Sequence, residues 1–128
     1  MTSVVDASVI VAYLLGEADD VERAAMLADA HAPALLDVEV TQTLRGLLRA
    51  SKIDLDVADL GRAELTQLTV HRHPDMPLLR RCWELRDECT VYDGLYVALA
   101  EALEARLVTR DARLARGAAA IVDVALSE

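Results

Sequence analysis

Four carboxylates in this 128-residue chain stand where chemistry can use them. Asp6 ends the apolar run TSVV, Glu39 lies in LLDVEVTQTLRG, Asp93 in TVYDGLYVALAEAL, and Asp111 closes LVTRD. Each is ordinary when taken singly. An acidic residue at a helix amino terminus caps free amides and meets the helix dipole, for about 0.3–1 kcal/mol. Brought together, the four would be untenable. Two carboxylates about 5 Å apart repel by roughly 3 kcal/mol at an effective dielectric near 20, so four need protonation or a cation. A hard divalent ion with oxygen ligands, Mg²⁺ or Mn²⁺, removes the conflict. An ion that keeps some of its waters suits phosphodiester hydrolysis.

Whether the four meet depends on the elements that carry them. Thr2 to Val5 reads as a buried strand, and Ser8 to Leu15 as a short helix closed by Gly16. Val21 to Ala30 reads as a second short helix and Ala32 to Leu35 as a brief strand. Leu36, Val40, Leu44, Leu47 and Leu48 recur at helical spacing, predicting a helix from about Asp37 to Ala50. On it Glu39 stands off the apolar stripe, in line with Thr43, Gly46 and Ala50. DLDVADLGRAELTQL predicts another helix, and Leu68 to His73 a strand ended by Pro74. Met76 to Arg86 reads as a helix with Pro77 tolerated in its first turn. Val91, Leu95, Leu99 and Leu103 form the stripe of a helix from about Val91 to Ala105, with Thr90 and Asp93 spaced as a capping box. Leu107 to Thr109, Ala112 to Arg116 and Ala120 to Val124 complete the alternation as strand, helix and strand.

That alternation implies an α/β fold: βαβ units making a small, mostly parallel sheet with helices on both faces. In such a sheet every helix that follows a strand starts at the carboxyl edge, where ligands bind. All four carboxylates then belong to one edge.

Composition narrows the partners. The net charge is −9, from 22 acidic against 13 basic residues, and Lys52 is the only lysine. A general nucleic-acid coat needs a basic footprint and is excluded. An enzyme that meets nucleic acid through bound cations is not, because its site is itself acidic. No apolar run approaches the roughly 20 residues of a membrane span and no basic region precedes the first one, so a cytoplasmic location is expected. Cys82 and Cys89 are read as reduced packing residues on one helix, Trp83 as core, and residues 1–128 as a single domain. His71 and His73 alternate on a strand, but a zinc pair needs further ligands, and the chain offers only His31 and the two cysteines. They are expected at the surface or the core edge.

The motifs VVDASVIVAYLLG, LLDVEVTQTLRG, HRHP, WELRDECTVYDGLYVALAEAL and LVTRDARLA resemble, in order and over nearly the whole chain, the PIN domains of VapC-like toxins, ribonucleases of bacterial toxin–antitoxin pairs. The resemblance implies a PIN-like α/β fold and a catalytic, metal-holding set of Asp6, Glu39, Asp93 and Asp111. It implies Mg²⁺ or Mn²⁺ as cofactor and attack by water on structured RNA, whether transfer, ribosomal or messenger. It also implies a cognate VapB-like antitoxin that blocks the acidic site, and a homodimer. Thr109, Ser8 and Thr90 are expected to hydrogen-bond the carboxylates. Arg110, Arg113 and Arg116, beside Asp111, are candidates for RNA phosphate contact.

Two other readings compete. A receiver domain gathers Asp residues and Mg²⁺ at the same edge, but it needs an acidic pair after the first strand and a lysine near the last ones. Asp6 stands alone and Lys52 lies elsewhere. A catalytically silent PIN-fold binding module would have little reason to keep all four carboxylates.

Overall fold

In the computed structural model, which describes residues 1–128, strands β1 (Thr2–Val5), β2 (Asp29–Pro33), β3 (Val70–His73), β4 (Arg106–Thr109) and β5 (Val124–Leu126) form one sheet. The order is β3-β2-β1-β4-β5, and every neighbouring pair is parallel. Helices α1 (Ala7–Leu14), α2 (Asp20–Leu27), α3 (Leu35–Arg49), α4 (Leu55–Leu65), α5 (Leu79–Glu84), α6 (Val91–Leu103) and α7 (Ala112–Ala118) connect them. Val4 and Val5 point to opposite faces of the central strand and both are fully buried, so both faces are covered. The α/β, mostly parallel expectation holds, and the sheet is wholly parallel.

The strand order fixes where a ligand fits. The chain builds outward from β1 through β2 to β3, then returns to the other side of β1 to lay down β4 and β5. The order therefore reverses between β1 and β4. The crevice at such a switch point opens outside the carboxyl ends of the strands. Asp6 follows β1 there, and Asp111 follows β4.

Local chemistry explains the boundaries. Asp6, Asp54, Thr90 and Asp111 each cap the helix they precede, and Asp19 with Glu22 forms a full capping box on α2. Helix α1 ends before Gly16, whose φ of 74° only glycine adopts freely. Helix α3 has no side-chain cap of its own. The Leu35 amide donates instead to Asp75 Oδ1 at 3.2 Å, from a segment 40 residues away.

Several boundaries differ from the sequence expectation. Helix α2 stops at Leu27, and Asp29 and Ala30 join β2 rather than the helix, because Thr2 and Ser3 of β1 pair with them. Leu35 correspondingly opens α3 instead of ending a strand. The final strand is Val124–Leu126, not Ala120–Val124: register with β4 sets Leu107 against Val124, and the residues between form a turn after α7. Met76 to Arg86 is not one helix. Pro77 sits in a 3₁₀ turn, Met76–Leu78, and α5 ends at Glu84, where the Arg86 guanidinium takes the Trp83 carbonyl at 2.9 Å. Trp83 is not core: it is 65% exposed, with Arg86 4.8 Å above its ring. Cys89 lies beyond α5 and does not share a helix with Cys82. Both thiols are free, and burial pushes both above the ordinary thiol range, which keeps them protonated and unreactive.

One ion pair ties the two sides of β1 together. Glu22 on α2 is completely buried and accepts from Arg110 Nε at 2.6 Å and Nη2 at 2.7 Å. Arg110 also donates to the Glu17 carbonyl. Removing one partner of such a pair strands the other charge. Arg110→Ala should therefore cost about 2–3 kcal/mol in urea unfolding, whereas exposed Arg116→Ala should cost under about 0.5 kcal/mol. Equal, small losses for both would show that the pair contributes no stability.

Candidate active site

At the carboxyl edge of the sheet lies a cavity of about 440 Å³. Asp6, Glu39, Asp93 and Asp111 all line it, together with Ser8, Tyr92, Tyr96 and Arg113. The four carboxylates arrive from β1–α1, α3, α6 and β4–α7, so their convergence is a product of the topology.

Asp6 is the most constrained. Its side chain is 6% exposed, and both oxygens are engaged: Ser8 Oγ donates to Oδ1 at 2.6 Å and Thr109 Oγ1 to Oδ2 at 2.7 Å, while the Val9 amide caps onto Oδ1 at 3.3 Å. Each hydroxyl also accepts an amide from the turn after β4. The Arg110 amide donates to Ser8 Oγ at 3.0 Å and the Asp111 amide to Thr109 Oγ1 at 2.9 Å. Asp6 is thus wired to the loop that carries Asp111. Thr90 plays no such part. Its hydroxyl accepts the Asp93 amide at 3.1 Å and caps α6, without reaching a carboxylate; nor does Asp93 reach back, so the capping box is only half made.

The environment penalises charge. Burial raises the Asp6 carboxyl above its usual range, against the lowering pull of Ser8, Thr109 and the Val9 amide, and Asp111 adds to the rise. Burial likewise raises Glu39, opposed by its Tyr96 hydrogen bond and reinforced by Asp6 and Asp93. Asp93 is raised by burial, pulled down by Arg113 and pushed up by Asp111. Three carboxylates that are all harder to ionise than in water, with a fourth adjoining, form a set of hard oxygen donors short of positive charge. That donor set fits a hard divalent cation.

Not every expected group stays in the site. Arg113 does: its Nε lies 3.3 Å from Asp93 Oδ2 and its Nη2 3.9 Å from Asp111 Oδ2, with the side chain still 65% exposed. Arg110 is withdrawn, its guanidinium being committed to Glu22. Arg116 is exposed and does not line the cavity. Asp37, two residues before Glu39, faces away and pairs with Arg72 at 3.1 Å. Arg81 is taken up by Glu101 at 2.7 Å. Two groups escaped the sequence reading. Tyr96 is 2% exposed, and its hydroxyl donates to Glu39 Oε1 at 2.6 Å. The signal was a tyrosine three residues after Asp93, on the same helical face. Tyr92, 64% exposed at the cavity rim, carries an aromatic ring into solvent.

A profile of the PIN domain matches residues 3–120. The chain belongs to the PIN domain family. It is 44% identical over 115 residues to ribonuclease VapC9 of Mycobacterium tuberculosis, covering 87% of each chain. It is 40% identical over 116 residues to ribonuclease VapC1 of the same species, covering 88% of this chain and 87% of that one. Within the family it is therefore VapC-like. The structure of PAE2754 from Pyrobaculum aerophilum superposes with a TM-score of 0.68 at 23% identity, over 96% of this chain and 83% of that one, and shares the fold.

Two consequences can be measured on this VapC-like chain. The raised carboxylates help folding in full only below about pH 4, the range of unfolded carboxylates. That help is lost as pH rises through their elevated folded values. At pH 7 in EDTA, Asp93→Asn should accordingly raise Tm by about 2–5 °C, since the exposed Arg113 pair it gives up is worth little. A clear fall in Tm would make Asp93 a structural residue. Tyr96→Phe leaves Glu39 without its only side-chain donor. It should weaken the divalent-ion dependence of activity by about 10–100-fold, seen as a shift of the metal titration rather than a lower plateau.

Proposed function

We propose that this chain, residues 1–128 acting as one PIN-like unit, is a Mg²⁺- or Mn²⁺-dependent endoribonuclease and the toxin of a toxin–antitoxin pair. The observation that carries this is the meeting of Asp6, Glu39, Asp93 and Asp111 in one cavity at the switch point, in a chain 40–44% identical to VapC ribonucleases.

Asp6 and Asp93 are the principal ion holders, with Glu39 and Asp111 completing the set. When bound, the ion supplies Lewis acidity and an acidified water for hydrolysis of the phosphodiester. The protein's own share is positional. Ser8 and Thr109 fix the Asp6 carboxylate in place through both of its oxygens. Tyr96 fixes Glu39, and Asp111 takes its direction from capping α7 through the Arg113 and Leu114 amides. Arg113 is placed to hold a non-bridging phosphate oxygen, since its exposed guanidinium already spans Asp93 and Asp111. Tyr92 offers a ring for an unstacked base, which suits RNA opened in a loop. The substrate class is structured RNA.

The partners follow from the same cavity. A VapB-like antitoxin blocks it with a basic side chain among the carboxylates, and Arg113 shows that a guanidinium is accommodated there. Met76, Leu79 and Trp83 leave apolar surface around α5, which supports a helix-mediated homodimer. No helix is long and apolar enough to cross a membrane, and the proposed location is the cytoplasm.

The deciding experiment incubates total cellular RNA with purified protein in Mg²⁺, Mn²⁺ or EDTA, beside Asp93→Asn prepared identically. Discrete fragments with 5′-phosphate and 3′-hydroxyl ends are expected, metal-dependent and absent with the variant. End-mapping then identifies the target. Products ending in 2′,3′-cyclic phosphate would mean attack by the ribose hydroxyl and overturn the mechanism. Silence with every metal would favour a PIN-fold binding module.

A further inference from the structure

We propose that the β2–β3 side of the sheet carries a second metal site, for a borderline transition ion of the zinc class, made by Asp29, His31 and His71. Asp29 and His31 are two apart on β2 and face the same way, and the β2–β3 register sets His31 directly against His71. One ligand atom from each of these three residues lies within 4.8 Å of the other two. Asp29 Oδ1 is 2.8 Å from His31 Nε2 and 3.6 Å from His71 Nε2. Donor atoms about 2.0–2.1 Å from a tetrahedral ion stand roughly 3.3 Å from one another, so the two observed separations bracket the required one.

A second observation points the same way. Each of two ligands already has the outer partner that a metal ligand needs. His31 Nδ1 is 2.8 Å from His73 Nε2. If His31 offers its Nε2 lone pair to an ion, its Nδ1 must carry the proton, and His73 is in place to accept it. Thr2 Oγ1 donates to Asp29 Oδ2 at 2.8 Å, which leaves Oδ1 turned toward both imidazoles. The three rings stand together, with centroids 4.7 Å apart for His31 and His71 and 5.1 Å for His31 and His73. His71 is two-thirds exposed, so an ion can enter from solvent and keep water as its fourth ligand.

The donor set separates this site from the acidic cavity. Two imidazoles and one carboxylate select zinc, cobalt, nickel or copper rather than magnesium. Asp29 is level with Thr2, four residues before Asp6 along β1, or about 13 Å away in strand rise. An ion here would clamp the edge strand β3 to β2. The same strand end receives the Ala34 amide on the His73 carbonyl at 2.7 Å, just where the chain enters α3 with Glu39.

The test is calorimetric titration of tag-free protein with Zn²⁺ in excess Mg²⁺, on the parent chain, Asp93→Asn, His71→Gln and His73→Ala. The parent and Asp93→Asn should each bind Zn²⁺ at this site, with a rise in Tm. His71→Gln, at an exposed position that the fold does not need, should weaken this binding at least tenfold. His73→Ala should weaken it by about 10–100-fold with unchanged stoichiometry. Co²⁺ in place of Zn²⁺ should give the visible bands of a tetrahedral, imidazole-bound ion, lost in His71→Gln. Zn²⁺ binding that survives His71→Gln unchanged, or that disappears in Asp93→Asn, assigns the ion elsewhere and overturns the proposal. So does an absence of binding by the parent.

Discussion

Everything at the carboxyl edge depends on how a carboxylate is kept at the end of the central strand. Asp6 is buried at the end of β1 beside β4, where little water reaches it, and burial raises its pKa. It is tolerated because both oxygens are occupied by hydroxyls, and those hydroxyls are in turn occupied by amides of the turn after β4. The arrangement works in one direction only. A hydroxyl that donates to Asp6 has lone pairs free for an amide, so a single carboxylate organises a backbone turn it never touches. The turn presents Asp111, and its next residues start α7. The switch point of the sheet is thus held by a short chain of hydrogen bonds, of which only the amide ends belong to the backbone.

The price of this design is electrostatic. Four acidic groups share one cavity, and three are shifted toward the protonated form. A fold optimised for stability alone would place amides or apolar residues there. A site that is to hold a cation would keep the carboxylates, because an ion bound among them would relieve part of their mutual repulsion. On the proposed reading, stability is given up here for affinity. Elsewhere the molecule shows the opposite choice: Glu22, buried more completely than any of the four, is matched by Arg110 and serves to hold α2 against the β4–α7 turn.

What could be read from the sequence follows from the range of the interactions. Period and caps are local, so the strands β1 and β4, the helices α3 and α6 and the four carboxylates were legible. Parallel topology then placed the carboxylates on one edge. Contacts made across long stretches of chain were not legible. Tyr96 reaches Glu39 across 57 residues and Arg110 reaches Glu22 across 88. Its place beside Asp111 makes Arg110 a candidate for phosphate contact, and only the fold reveals its partner. The limits of β2 and β5 differ for the same reason: pairing with β1 takes Asp29 and Ala30 from the expected helix, and pairing with β4 moves the last strand toward the carboxyl terminus. Trp83 was placed in the core by its spacing between Leu79 and Leu85. Helix α5 instead buries Cys82 and turns Trp83 to the surface. His31 joined His71 only once the β2–β3 register was known.

The arginines explain how so acidic a chain can act on a polyanion. Its net charge is −9, and Arg113 is the one basic residue lining the cavity. With Arg110 committed to Glu22 and Arg116 outside, the empty cavity repels phosphate. A divalent ion among the carboxylates would reverse that field locally. On the proposed reading, such an ion would serve substrate binding as well as catalysis. A basic side chain delivered by a partner neutralises the same carboxylates without supplying an acidified water. Inhibition by charge substitution would therefore be available to any partner that can reach the cavity, and the acidity that would hold the ion would also make the site easy to silence.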